Sequence, residues 1–342
     1  MGPMDELALF PETAPVRAER WHRLRQAVRE LAAQNILIGT SSWKYPGWLG
    51  WLYTPERYHT RGKFSEARFA RDCLREYAEV FSAVSVDAGY YAFPTAAGVA
   101  SLCAQVPDRF RFSFKVTADL TLRQFPRLDR FGPRAGHPNP RFLDADLFCR
   151  SFLAPLEPHR KHIGVLMFEF TRFAPGTWAS PSTFAEALDT FFHQLPTDWQ
   201  YGVELRNPEL LHPDYLAVLT RHRVSHILNN WQAMPDVGEQ LAVPGILTTR
   251  FTAARFLLKP GRPYAQAVSL FSPYQHLREP LPQARAAARQ LLATLAARPA
   301  TTPTPPPSHL FVNNRLEGQA LETWLAIVSP PAHKIPQTTT PT

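Results

Sequence analysis

The chain has 342 residues, 45% hydrophobic and 19% charged, with 37 Lys and Arg against 29 Asp and Glu and a formal net charge of +8. That length holds one large α/β barrel or two ordinary domains, and either can bury a full core. No apolar run reaches the ~18 residues of a membrane span, so no membrane partner is expected.

The opening MGPMDELALF lacks a basic region followed by an apolar one, and no signal peptide is expected. Residues 14–34 carry Trp21, Leu24, Val28 and Leu31 at helical spacing, with Arg17, Arg20, Arg23, Arg25 and Arg29 on much of the remainder, which predicts an amphipathic helix. Strand-like runs follow at Ile36–Thr40, Ala83–Asp87, Phe110–Lys115, Ile163–Glu169, Tyr201–Leu205, Val224–Asn229, Ile246–Phe251 and Leu310–Asn313. Between them lie helix-like stretches near 65–81, 95–105, 144–158, 182–194, 209–222 and 277–297, a poorly defined one after 234, and one near 317–328. Strands alternating with helices pair in parallel, because each crossover needs a helix. Eight such units predict a closed (β/α)8 TIM barrel of the α/β class. No GxGxxG follows the first strand, which weighs against a dinucleotide-binding sheet. The division expected is an N-terminal extension and helix over 1–35, the barrel domain over 36–328 and a low-complexity tail over 329–342.

Cys73, Cys103 and Cys149 are odd in number and form no CxxC pair, so a disulfide scaffold is not expected and a reducing, cytoplasmic compartment fits. The Pro- and Thr-rich stretch 298–308 and the tail have almost nothing to bury. The former joins a helix to the last strand and so belongs on the N-terminal face of the barrel, away from the face where barrel active sites lie.

Strand alternation says which side chains enter the lumen. Ser113 and Lys115 face inward while Phe110, Phe112 and Phe114 face the helices. By the same count Ser85, Asp87, Val165, Met167, Glu169, Gly202, Glu204 and Arg206 point inward. The seventh run offers Arg250, and the eighth ends in Asn313, Asn314 and Arg315. Asp87, Lys115, Glu169, Glu204, Arg206 and Arg250 are thus expected at one mouth. They form either an ion-pair network satisfied within itself or a reactive site. Glu169 and Glu204, on neighbouring strands, are permitted the ~5 Å separation of a retaining glycosidase pair. No catalytic metal is expected: His226 and His309 lie in strands but not at their C-terminal ends, and no HxH or HExxH occurs.

Two loops stand on the predicted active face. Residues 41–63 carry Trp43, Tyr45, Trp48, Trp51, Tyr53 and Tyr58, suited to stacking on a sugar or base or to packing the loop against the barrel. Residues 116–143 carry Arg123, Arg127, Arg130, Arg134 and Arg141, in a loop of the length used for lids and binding loops. Arg255, Lys259 and Arg262 add charge after the seventh run. Together they point to an anionic, ring-bearing ligand, with solvated arginines as the alternative.

The segments GTSSWKYPGW (39–48), FSFK (112–115), VELRNP (203–208) and FVNNRLEG (311–318) resemble the YecE-like, or DUF72, family of uncharacterised proteins, as do NNWQAMP (229–235) and KPGRPY (259–264). The resemblance runs over roughly 36–328 and implies a TIM barrel of unsettled activity. Lys115, Glu204, Arg206, Asn313 and Asn314 match the family pattern. Ser85 stands where the family usually has Glu, Glu169 where it has Gln, and Leu122 where it has His.

The resulting expectation is an enzyme, a hydrolase, lyase or isomerase, working by acid/base chemistry on a small anionic sugar- or nucleotide-like substrate, with no cofactor. Glu204 is expected as general acid/base and Lys115 as its electrostatic partner or proton carrier, with Glu169 and Asp87 beside them. Arg206 and Arg250 are expected to clamp the anion, and Asn313 and Asn314 to orient hydroxyls or oxyanions. Arg315, Trp43, Tyr45, Asn229 and Tyr91 complete the expected binding set. The competing expectation is a non-catalytic nucleic-acid-binding barrel using the Arg-rich and aromatic loops. The sequence leaves the oligomeric state open.

Overall fold

The computed structural model describes residues 14–301 and 303–329, so the expectations for 1–13 and for all but the first residue of the tail lie outside the described residues. Eight parallel strands close into a barrel, each paired with the next. They are β1 (Ile36–Thr40), β2 (Ala83–Val86), β3 (Arg111–Lys115), β4 (Ile163–Glu169), β5 (Tyr201–Glu204), β6 (Ser225–Asn230), β7 (Ala253–Phe256) and β8 (Ser308–Val312). Closure falls to β1, which pairs with β8 from Ile36↔Ser308 to Thr40↔Val312 and with β2 at Gly39↔Ala83 and Thr40↔Val84. Only a glycine permits that approach: a Cβ on Gly39 would lie 1.8 Å from the Ala83 carbonyl oxygen. The fold is the expected (β/α)8 barrel.

Outside the sheet, Phe112, Phe114 and Phe168 pack into the helix layer. Phe168 meets Phe148 and Phe191 with ring centroids 5.1 and 5.3 Å apart. The helix Ala14–Ala33 lies against β1 and the helix Ala320–Val328, burying Leu24 and Val28 as their spacing required. A helix at Tyr264–Phe271 was not anticipated. The described residues of the Pro-rich stretch after the helix Pro282–Ala296 have no regular structure before β8 and lie at the N-terminal face. There Asn35 donates to the Pro305 carbonyl at 2.6 Å and Gln200 to that of Pro307 at 3.0 Å.

One strand differs from its predicted position. The apolar run Ile246–Phe251 precedes β7 and makes no ladder. Thr248 Oγ1 instead accepts from the His226 backbone N–H and donates to the Val224 carbonyl. The true β7 begins at Ala253–Ala254, paired with Ile227–Leu228 on one side and His309–Leu310 on the other. Pairing between two strands outweighs the weak strand preference of alanine here. Small residues also suit a lumen filled by Val165, Met167, Ile227 and Phe251 around Ala253.

The lumen also encloses His309. Its Nδ1 is 3.5 Å from Ser113 Oγ, and Gly164 leaves room for the ring, since a Cβ there would come within 2.6 Å of His309 Cε1. Burial, aided by the nearby Arg111 charge, pulls His309 down to about 3. Burial likewise pulls His226 down to about 4 against the opposing hydrogen bond with Gln240. Both histidines bind fewer protons in the native state than in the unfolded chain, so their stabilising effect is complete above pH ~6.5 and is lost as pH falls toward the folded values. The urea midpoint is therefore expected to fall between pH 6.5 and 5, above the carboxylate range, and His309→Asn is expected to flatten that slope. A variant slope equal to that of the parent would remove His309 as a source of the effect.

Candidate active site

The residues that end the strands converge as alternation requires, because Glu169 and Glu204 stand opposite each other in the β4–β5 register. Arg255, on β7, reaches across the lumen. Its Nη1 donates to Glu204 Oε2 at 2.8 Å and to Glu169 Oε2 at 3.1 Å, and its Nη2 donates to Asp87 Oδ1 at 2.9 Å. Arg206 Nη2 donates to Glu169 Oε2 at 2.9 Å and also pairs with Glu204 Oε1. Lys115 Nζ lies 2.8 Å from Glu169 Oε1 and 3.9 Å from the centre of the Tyr90 ring. Burial alone would raise the Glu169 carboxyl. The charges of Lys115, Arg206 and Arg255 outweigh that and hold it well below the usual carboxylate range.

Arg206 is fixed from two further sides. Trp231 covers its guanidinium at 3.7 Å, and its Nη1 donates to Asn229 Oδ1 at 3.4 Å. Asn229 in turn donates to the carbonyls of Leu205 and Ile227.

Above this layer is a cavity of about 250 Å³ lined by five basic side chains (Lys115, Arg130, Arg206, Arg255 and Arg315) and two acidic ones (Asp87 and Glu169). Lys115, Arg206 and Arg255 are committed to carboxylates. Arg130 and Arg315 have no carboxylate partner among the described residues; Arg130 lies 5.4 Å from the Tyr91 ring and Arg315 4.7 Å from the Tyr264 ring. Asn313 also lines the cavity. Its Oδ1 accepts the Arg315 backbone N–H at 2.9 Å, while its buried Nδ2 has no protein partner. The site therefore presents uncompensated positive charge, aromatic faces and one free amide donor to whatever enters. The three carboxylates turn toward cations, and among the described residues no three potential metal ligands are grouped around a common point.

The expected site residues divide into four groups. Asp87, Lys115, Glu169, Arg206, Asn313, Arg315 and Tyr91 line the cavity. Glu204 and Asn229 are fully buried behind Arg206 and outside the cavity lining. Asn314 is also buried, its Oδ1 accepting the Ala320 N–H at the start of the last helix. Trp43 and Tyr45 do not line the cavity, although the Tyr45 hydroxyl lies within electrostatic range of Arg315 and Asp87, which do. Trp43 is buried, its carbonyl accepting from Tyr53 Oη, and Tyr45 packs on Trp48 and Tyr274, where burial pushes its hydroxyl up to about 12. The aromatic loop thus mainly packs itself onto the barrel.

Arg250 is a correction. It lies on the opposite, N-terminal face, donating to Thr301 Oγ1 and to the Pro303 carbonyl at 2.8 Å. The five-residue misplacement of β7 both moved it and reversed its parity, and the cation at the mouth is Arg255. Trp231 and Tyr264 were missed, although they lie in the motifs NNWQAMP and KPGRPY, Trp231 directly after β6 and Tyr264 at the start of the helix that follows β7.

The family model described as "Protein of unknown function DUF72" matches residues 37–338. The UPF0759 protein YecE of Escherichia coli (strain K12) is 26% identical over 178 residues, a match covering 51% of this chain and 49% of that protein, so the chain spans about half the length of the curated relatives it matches. Two solved structures share the fold. A DUF72 family protein of Enterococcus faecalis V583 has a TM-score of 0.56 and 19% identity, covering 85% of this chain and 94% of its own. Another, from Thermotoga maritima MSB8, has a TM-score of 0.54 and 18% identity, covering 85% and 97%.

Removing the hub of the network takes a cation from three carboxylates and leaves Asp87 without an ion-pair partner among the described residues. Arg255→Met is expected to cost about 3–5 kcal/mol, as when one partner of a buried ion pair is deleted, whereas Arg250→Met should remain close to the parent in chemical denaturation. Equal losses for the two would contradict the placement of β7.

Proposed function

The chain belongs to the DUF72 family of proteins of unknown function, and from its barrel mouth we propose an enzyme that applies acid/base chemistry to a small anionic substrate bearing a sugar- or nucleotide-like ring. The observation that carries this reading is the pairing of a balanced, buried charge network with two guanidinium groups that have no carboxylate partner among the described residues, in the same cavity. A structural network would need no excess cation above it. A volume of about 250 Å³ lies just under the ~300 Å³ at which ordinary ligand pockets begin, which favours a small molecule.

The roles follow from what each group has left to offer. Arg130 and Arg315 clamp the anion. Trp231 and Tyr264 supply faces for a ring, and Asn313 Nδ2 donates to a hydroxyl or oxyanion. Lys115 is the proton donor: its ammonium has three hydrogens, and the structure commits one to Glu169. Asp87 is the base. Its Oδ1 accepts from Arg255 and Ser85, while Oδ2 has no protein donor among the described residues. Glu204, the acid/base expected from sequence, takes a supporting role in this reading, because it is fully buried and doubly paired with arginine. Glu169, held as an anion by three cations, keeps Lys115 in place.

Thermal unfolding of the full chain against sugar phosphates, nucleotides, divalent cations and short oligonucleotides, at two salt concentrations, tests this proposal. A ligand at 100 times its dissociation constant stabilises by about 2.7 kcal/mol, enough for a clear rise in Tm. One small anion is expected to raise Tm with only modest salt dependence. Arg315→Ala should abolish that shift, and Lys115→Met should retain binding but lose turnover of the anion identified. A shift only with oligonucleotides, vanishing at high salt, would replace the enzyme by a nucleic-acid-binding barrel.

A further inference from the structure

A second, larger cavity lies on the same face, between the loop after β3 and the loop after β4. Its volume is about 650 Å³, and its walls include Arg123, Arg127 and Arg172 together with Thr171 and Thr177. No acidic side chain lines it. None of the three arginines forms an ion pair among the described residues. Arg134, from the same β3 loop, does have a partner in Asp119. Three guanidiniums sharing a concave wall repel one another unless an anion or solvent lies between them, at a cost that falls with ionic strength.

The walls are held in place before any ligand arrives. Asn139 is buried and donates to the carbonyls of Asp119 and Leu122 at 2.8 and 2.6 Å, tying the two ends of the β3 loop together. Its backbone N–H donates to the Arg123 carbonyl, while the Gly136 N–H donates to the Phe125 carbonyl and the Phe125 N–H to that of His137. Phe125, Phe131, Tyr90, Ala118 and Leu122 form a small core under the loop. The arginines are braced as well. Arg123 lies 4.2 Å over Trp178, and Arg127 runs across Gly136, where a Cβ would meet its Nε at 3.2 Å. A loop of nearly thirty residues built this way is a wall rather than a mobile flap.

We propose that this groove is a second anion site, distinct from the barrel mouth, that takes a small molecule carrying two or more linked phosphate groups. Three guanidiniums with no carboxylate among them suit several negative charges rather than one, and the Thr171 hydroxyl supplies a neutral donor, that of Thr177 being given to the Ala174 carbonyl. The volume, within the ordinary range for ligand pockets, admits a larger occupant than the mouth does. The same loop carries Arg130 into the mouth cavity, and the segment that ends in Thr171 and Arg172 begins at Glu169. Occupancy of the groove therefore acts on two elements that also line the mouth.

Isothermal titration of the full chain with inorganic tripolyphosphate tests the proposal, with orthophosphate as the single-charge comparison. One mole of tripolyphosphate per mole of chain is expected to bind, more tightly than orthophosphate. Arg123→Ala combined with Arg172→Ala is expected to weaken it at least tenfold, with unchanged circular dichroism, while Arg315→Ala at the mouth leaves it intact. Tripolyphosphate lost with Arg315→Ala but not with the groove variants would place the anion at the mouth and overturn the second site. No binding of tripolyphosphate, or binding of oligonucleotides alone through the groove arginines, would also overturn it. None of these outcomes depends on the mouth being catalytic.

Discussion

The structure turns on the crowding of charge that barrel closure imposes. Eight parallel strands bring the inward residues at their C-terminal ends into one cross-section, and here six of those residues or their neighbours are ionisable: Asp87, Lys115, Glu169, Glu204, Arg206 and Arg255. Removing such charges from water costs several kcal/mol each unless they satisfy one another. They do so through Arg255, which binds carboxylates from three different strand ends, and through Glu169, which collects three cations. Neither residue has a partner of equal reach, so the geometry of the mouth depends on both.

From this base the site grades upward from balance to excess. At the bottom Glu204 is wholly enclosed and doubly paired. Above it Lys115 and Asp87 are partly exposed and keep unused hydrogen-bonding capacity. At the rim Arg130 and Arg315 rest on aromatic rings and carry charge without a carboxylate. An anion entering from solvent meets positive charge first and preorganised dipoles beneath, an arrangement that needs little reorganisation when charge moves. The groove beside the mouth has a similar cationic surplus without the acidic layer.

Much of this was legible in strand parity. The alternation in FSFK put Ser113 and Lys115 inside, and that in YGVELR put Gly202, Glu204 and Arg206 inside, because a two-residue period admits only two assignments and the apolar set decides between them. Where that signal failed, the failure was local. Ile246–Phe251 is the more strand-like segment by composition, yet Ala253–Phe256 is the one that two neighbours pair with, and the error exchanged Arg255 for Arg250. The aromatic residues of the first loop carried no information on direction. Trp48, Tyr53, Tyr58 and Phe69 pack on each other, and Trp231 and Tyr264, fewer and less clustered, face the cavity or its rim.

By itself, the sequence determined the number of repeating units, their parallel pairing and the side of each strand that meets the lumen, since period and connection length are local properties of the chain. It also determined that the charges gather at the strand ends. Only the tertiary structure decided which arginine crosses the barrel, that Glu204 lies beneath the cavity rather than in it, and that Arg130 and Arg315 are left without a carboxylate partner among the described residues. Those facts depend on register and on distances across the lumen between residues far apart in the chain, such as Asp87 and Arg255, separated by 168 positions yet joined at 2.9 Å. Such a contact is set by closure of the whole sheet and leaves no mark on the residues beside either partner.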